Sequence, residues 1–245
     1  MTPSIAAPLP APALLAGEDL TVMEDRFVFV QAERGWRFGF DSVLLARRVF
    51  DGPHGDAMEV GAGCGVISVL LAGWGWSGDI VAVEVQPALA DRAARNVLAN
   101  GVGDSVTVLE RDIRDLGPCL GSRRFARVFG NPPFHRVGSG RLNPDGERAA
   151  ARHELLLDME TLLAVTRERL LPDAVATFLY PVARMPEIRA ISERLALGIE
   201  AIVEVLPGPD REAELVLVDL RHGPVRTPGR GVPIDMRGRR RSGAP

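Results

Sequence analysis

Lysine is absent from this chain; all 29 basic residues are arginine. That bias fits a GC-rich genome and carries no function by itself. Cysteine is nearly absent too, with only Cys64 and Cys119. Two cysteines cannot build a disulfide framework and are too few for a thiolate metal site, so a reducing compartment, the cytoplasm, is expected. The four histidines, His54, His135, His153 and His222, show no ligand spacing, so no metal is expected. No apolar run approaches the ~18 residues of a membrane span. The opening stretch MTPSIAAPLPAPALLAGEDL has no basic region ahead of its apolar residues, which argues against a secretory signal. No internal repeat is found. What remains is an ordinary globular mix, 46% hydrophobic and 25% charged over 245 residues, enough to bury a full core.

Net charge is only −3, so no global basic field announces a nucleic-acid partner. The distribution is uneven. Residues 121–153 hold 7 Arg against 2 acids, and residues 221–245 hold 7 Arg against 1 acid. The remaining stretches are acidic. Two basic islands thus stand in an acidic background.

Residues 1–20, rich in Ala and Pro, read as a flexible segment. A strand is expected over 26–31. A short helix follows, with Asp41 as its N-cap and Arg47 and Arg48 at its end. From residue 57 the pattern becomes strand, turn, helix, repeated. Strands are expected at 57–60, 79–84, 106–109, 126–129 and 175–179. Helices are expected at 66–72, from Pro87 to Asn100-Gly101, and over 158–171 and 186–197. Two last strands, 201–205 and 214–220, are close enough to pair antiparallel. This alternation implies an α/β protein with a mostly parallel, doubly wound sheet, whose ligands bind beyond the carboxyl ends of the strands. The tail over 223–245 has no apolar period and reads as disordered and arginine-rich.

Glu59-Val60-Gly61-Ala62-Gly63-Cys64-Gly65 joins the first strand of that sheet to its helix. Glycines permit a sharp turn and a close approach by a ligand. The helix start offers free N–H groups and a positive dipole end, which suit a pyrophosphate or the carboxylate of an amino-acid moiety. A glycine loop alone also reads as a tight turn against the sheet. Three acids sharpen it. Glu59 could hold an ammonium group, Glu84 at the end of VAVEV could accept two ribose hydroxyls, and Asp112 after VTVLERD could accept from an adenine amino group. Singly each is a solvated strand-end charge. Together, at the ends of three successive strands, they converge on one crevice. Gly-x-Gly-x-Gly departs from the dinucleotide Gly-x-Gly-x-x-Gly, so the spacing favours S-adenosylmethionine.

Asn131-Pro132-Pro133-Phe134 follows the fourth strand. The prolines stiffen the loop and offer no N–H. The Asn131 side-chain oxygen and the Pro132 carbonyl are two acceptors held close together, a match for the two hydrogens of an NH2 group. Phe134 could stack on a planar substrate such as a flipped base. The bland alternative is a rigid proline turn with a core phenylalanine.

The glycine loop, Glu84, Asp112 and the Asn-Pro-Pro-Phe loop together resemble the class I S-adenosylmethionine-dependent amino-group methyltransferases. Three further stretches are similar to the bacterial tRNA(Val) adenine-N6 methyltransferases: Trp36 to Ala46 (WRFGFDSVLLA), Arg148 to Glu154 (RAAARHE) and Arg211-Glu212-Ala213. The resemblance implies a Rossmann-like fold with a seven-stranded, mostly parallel sheet, the last strand antiparallel, and helices on both faces. It implies residues 21–50 as a strand and helix that cap the cofactor pocket, and residues 51–222 as the methyltransferase core. It implies methylation of an adenine N6 amine in tRNA, beside the anticodon, by a monomer. Arg136, Arg141, Arg148 and Arg152, flanking the catalytic loop, then become candidates for RNA phosphate through their bidentate forks. Three other readings stay open: guanine-N2 methylation of ribosomal RNA, methylation of a protein glutamine amide, and a non-catalytic RNA-binding scaffold.

Overall fold

The computed structural model of the protein describes residues 12–34, 37–132, 157–208, 211–224 and 228–235. β1 (Glu18–Met23) and β2 (Phe27–Ala32) form an antiparallel hairpin outside the main sheet. α1 (Phe40–Phe50) follows. Strand and helix then alternate through β3 (Ala57–Val60), α2 (Val66–Gly73), β4 (Ile80–Glu84), α3 (Pro87–Ala99), β5 (Val106–Glu110), the one-turn α4 (Gly117–Leu120) and β6 (Phe125–Gly130). α5 (Met159–Arg169), β7 (Leu170–Pro181), α6 (Met185–Arg194), β8 (Leu197–Leu206), β9 (Leu215–His222), β10 (Gly229–Arg230) and β11 (Ile234–Asp235) complete the described chain.

Side chains alternate across each strand, and the two sets fill two cores. Ala57, Ile80 and Ala82 face the core built with Val43 and Leu44 of α1, Val66 and Leu70 of α2 and Val97 of α3. Met58, Val60, Val81 and Val83 face the core built with Met159, Leu162 and Leu163 of α5 and Ile188 and Ile191 of α6. Helices therefore cover both faces, as expected. The order across the sheet is β10-β8-β9-β7-β6-β3-β4-β5, with β11 also on β8. β7, β6, β3, β4 and β5 are parallel neighbours, and β9 runs antiparallel between β7 and β8.

Four expectations need correction. The sheet holds nine strands rather than seven. The two additions, β10 and β11, come from the stretch read as a disordered tail. The outer edge of β8 carries backbone groups that need partners, and residues 229–235 supply them in parallel, including the Gly231 N–H on the Ile202 carbonyl at 3.0 Å. Edge pairing asks for no apolar period, so the sequence pattern was silent there. At the other end, β1 begins at Glu18, inside the segment read as flexible. Finally, Gly39 rather than Asp41 stands at the N-cap of α1, and Asp41 lies within its first turn.

The hairpin is held to α3 by side chains that act as a neighbouring strand would. Asn100 accepts from the Val28 N–H at 2.9 Å and donates to the Val28 carbonyl at 2.7 Å. One turn earlier, Asn96 does the same for Val30, at 2.7 and 3.1 Å. Glu18, buried at the start of β1, accepts from Arg92 at 3.0 Å and from Arg95 at 2.6 Å. The Arg95 hydrogen bond, above all, holds its carboxyl down at about 2. Glu18→Gln is therefore expected to lower unfolding free energy at neutral pH by about 1–3 kcal/mol, since it strips a charged partner from a buried group. The folded value lies below the ordinary 4.5, so this stability is present above that pH and is lost as pH falls toward about 2. Urea melts of the two proteins should converge on acidification. Curves that stay parallel would show that Glu18 acts by packing alone.

Candidate active site

β6, β3, β4 and β5 lie side by side and parallel, so their carboxyl ends share one edge. Open α/β sheets bind ligands at such edges. The loop over 61–65 leaves β3 here. Gly61 has φ of 67°, and a Cβ built on it would meet nothing within 4 Å, so bare backbone faces open space. Gly65 has φ of 77° for another reason: its Cβ would sit 3.1 Å from the Ala93 Cβ, where α2 starts against α3. Gly65 is the N-cap of α2 and leaves that helix start without a side-chain cap.

Glu84, buried at the end of β4, ties this loop down. One carboxylate oxygen accepts from the Gly63 N–H at 2.8 Å, the other from the Gln86 N–H at 2.9 Å. Glu59, fully buried at the end of β3, accepts from the Ser68 N–H at 3.1 Å and from the Ser68 hydroxyl. It thus satisfies a first-turn N–H of α2 that the glycine N-cap cannot. Burial is the main cause that pushes its carboxyl up to about 8, and the Glu84 charge adds to it. The sequence suggested an ammonium ligand for Glu59; in this structure its side chain is braced on Ser68. Asp112, just past β5, is engaged by Arg114, whose Nε lies 2.8 and 3.0 Å from its two oxygens and whose backbone N–H donates at 2.9 Å. The Arg114 hydrogen bond holds the Asp112 carboxyl below its usual range. The Cys64 thiol is buried and pushed up to about 12 by desolvation, which makes it inert.

Asn131 stands just past β6, next to the buried Pro132. Its Nδ2 donates to the Asp41 carboxylate at 3.0 Å, with the Ser42 hydroxyl at 3.4 Å. Its Oδ1 is buried and has no hydrogen-bond partner among the described residues. Asp41 and Ser42 escaped the reading as site residues because a helix-start acid looks like a cap. The signal was Gly39, which can cap without help. Asn96 escaped as well; beyond β2 it donates to the Cys64 carbonyl at 2.9 Å and so touches the glycine loop.

Pro133, Phe134, Arg136, Arg141, Arg148 and Arg152 lie outside the described residues. Of the other arginines in that island, Arg127 is buried and donates to Thr177 at 2.9 Å, while Arg123 pairs with Asp56 at 2.7 Å. Arg127 pairs in register with Ala57, at the opposite edge of the sheet from Asn131. Among the described residues, no group of three or more His, Cys, Asp or Glu could hold a metal ion, and no helix is long and apolar enough to cross a membrane.

The crevice fits the nucleoside cofactor that the sequence suggested. Glu84 offers carboxylate oxygens at a strand end, Gly61 leaves the approach open, and the uncapped start of α2 offers N–H groups. A parallel sheet with one inserted antiparallel strand and a glycine loop at its carboxyl edge defines a Rossmann-like methyltransferase fold. A solved predicted O-methyltransferase from Agrobacterium tumefaciens superposes with a TM-score of 0.57 at 19% identity, over 77% of this chain and 86% of that one. The family model for the methyltransferase small domain matches residues 20–163, and the chain belongs to that family. A tRNA1(Val) (adenine(37)-N6)-methyltransferase of Porphyromonas gingivalis is 29% identical over 80% of this chain and 78% of its own length. One of Vibrio cholerae is 26% identical over 81% of each.

Glu59 gives this site a pH signature. Its folded pKa of about 8 exceeds the ordinary 4.5, so its stabilising contribution is full below pH 4.5 and is lost as pH rises through about 8. Glu59→Gln keeps the neutral shape and does not titrate. Thermal melts of the cofactor-free protein should show the wild type losing ground to the variant as pH rises across that window. A constant gap between them would mean that Glu59 is ionised throughout.

Proposed function

We propose that this methyltransferase moves a methyl group from S-adenosylmethionine to the exocyclic N6 amine of an adenine in tRNA, beside the anticodon of tRNA(Val). The observation that carries this is the buried Oδ1 of Asn131 at the carboxyl edge of the sheet, which has no partner among the described residues. An acceptor without a partner there calls for a donor on the substrate. The names of the relatives from P. gingivalis and V. cholerae support the choice of base and of RNA.

Bound in the crevice, S-adenosylmethionine would supply an electrophilic methyl group. Glu84 would accept from its ribose hydroxyls, and the loop over 61–65 with the start of α2 would receive its carboxylate. Asp112, shared with Arg114, would accept from the amino group of the cofactor's own adenine. Glu59 braces the loop from beneath. Asn131 Oδ1 and the Pro132 carbonyl accept hydrogen bonds from the two N–H groups of the target NH2. That nitrogen is a poor nucleophile, because its lone pair is conjugated into the ring. Holding both protons turns the lone pair toward the methyl, and fixed alignment supplies several kcal/mol more. The nitrogen–methyl bond would form as the methyl–sulfur bond breaks, with the thioether S-adenosylhomocysteine as leaving group, and one proton of the methylated nitrogen would go to solvent. Residues 51–222 form the catalytic core in this reading, and residues 21–50 its cap. The enzyme works as a monomer in the cytoplasm and needs no metal.

Transfer of a tritiated methyl group to bulk tRNA and to ribosomal RNA, followed by nucleoside mass mapping, tests the reaction. N6-methyladenosine in tRNA is expected. N2-methylguanosine in ribosomal RNA would replace this reading with the guanine one. Asn131→Ala should cut turnover by orders of magnitude and leave cofactor affinity near normal. Unchanged turnover would remove Asn131 from the mechanism. Glu84→Ala should weaken cofactor binding, measured by calorimetry, by about 1–3 kcal/mol for each hydroxyl left without its acceptor. An unaffected affinity would place the pocket elsewhere.

A further inference from the structure

We propose that Asp41 is a positioning residue that sets the polarity of the Asn131 amide and thereby restricts the site to bases that present an amino group. The proposal rests on the role given to Asn131 above. A side-chain amide has an acceptor end and a donor end that exchange by a half-turn. A carboxylate only accepts. With the Asp41 carboxylate 3.0 Å from Asn131 Nδ2, a half-turn would set amide oxygen against carboxylate oxygen. The Ser42 hydroxyl, 3.4 Å from the same nitrogen and itself buried, stands on the same side. The amide oxygen is thus driven to the face where it has no partner among the described residues.

The backbone is shaped to allow this. A Cβ at Gly39 would lie 2.5 Å from Asp41 Oδ1, so any larger residue there would push the carboxylate away. Val43, Leu44 and Leu45, the next residues of α1, are buried and anchor the turn that presents Asp41. The result is a fixed acceptor beside a second one, the Pro132 carbonyl. A base with a keto oxygen at the same place, as in hypoxanthine, would meet two acceptors with a third. Sites built around one hydrogen-bond polarity reject the analogue that lacks it.

The test uses the full chain, with the substrate RNA found by nucleoside mapping and the same RNA carrying inosine at the target position. For the wild type, the inosine RNA should compete about 10- to 100-fold more weakly than the adenosine RNA. Asp41→Asn lets the Asn131 amide turn over. It should lower kcat by about 10- to 100-fold, leave the cofactor Kd unchanged, and shrink the discrimination against inosine. A merely structural role for Asp41 would not move that ratio. Gly39→Ala displaces the carboxylate without removing it and should show the same signature; it decides the matter should Asp41→Asn fail to fold. Wild-type discrimination retained in the folded variants overturns the proposal and leaves the adenine reading standing. A wild-type enzyme that methylates no adenine overturns both.

Discussion

Backbone donors buried beneath the glycine loop need partners, and two glutamate side chains supply them. Glu84 takes the Gly63 N–H, and Glu59 takes the Ser68 N–H at the start of α2. Without these acceptors, positive-φ turns and an uncapped helix start would leave buried donors unsatisfied, at about 1–3 kcal/mol each. Burial, with the Glu84 charge adding to it, lifts the Glu59 carboxyl to about 8. The loop therefore stands on a neutral acid on one side and on a shared strand-end acid on the other. Three buried polar atoms lack a partner among the described residues: Arg127 Nε, Ser192 Oγ and Asn131 Oδ1. Only the last lies on a loop leaving the carboxyl edge. Full satisfaction around it is what makes its vacancy informative.

The N-terminal hairpin and α1 belong to this site more than their place in the chain suggests. Asn96 bonds both backbone groups of Val30 and the Cys64 carbonyl, so β2 and the glycine loop share one side chain. Arg92, Asn96 and the C-cap Asn100 follow at four-residue spacing along α3, which places Glu18, β2 and the loop along a single helix face. α1 then delivers Asp41 to Asn131. The Asn131 amide is thus held by α1, which precedes the sheet, and the glycine loop by a side chain of α3 that also holds β2.

The parts legible in the sequence were those that follow from periodicity and from residue chemistry at strand ends. The order of strands and helices, the antiparallel pairing of β8 with β9, and the positions of Glu84 and Asn131 at one edge all came from local pattern. The parts that were not legible depend on partners distant in the chain. β10 and β11 exist because β8 has an open edge, which their own residues do not announce. Asp41 has the chemistry of a cap, and only its 3.0 Å contact with Asn131 shows otherwise. Asp112 is likewise a plausible strand-end acceptor, but its local sequence could not show that Arg114, two residues away, would fold back onto it.

Charge placement decides how a protein of net −3 meets a polyanion. Many of the described arginines are matched in place at the surface: Arg37 with Asp19, Arg47 with Glu24, Arg123 with Asp56 and Arg221 with Glu200. Exposed pairs of this kind add little stability, at about 0–1 kcal/mol, but each cancels field that would otherwise reach into solvent. The excess positive charge is therefore left to the two basic islands. Within the first of them, Arg123 and Arg127 are already engaged. Screening at physiological salt confines fields to about 8 Å, so charges farther apart than that act independently. In the proposed reading a distant RNA would meet little attraction from a protein of net −3. Selectivity on this basis arises at contact, where the amide polarity acts, rather than in long-range capture.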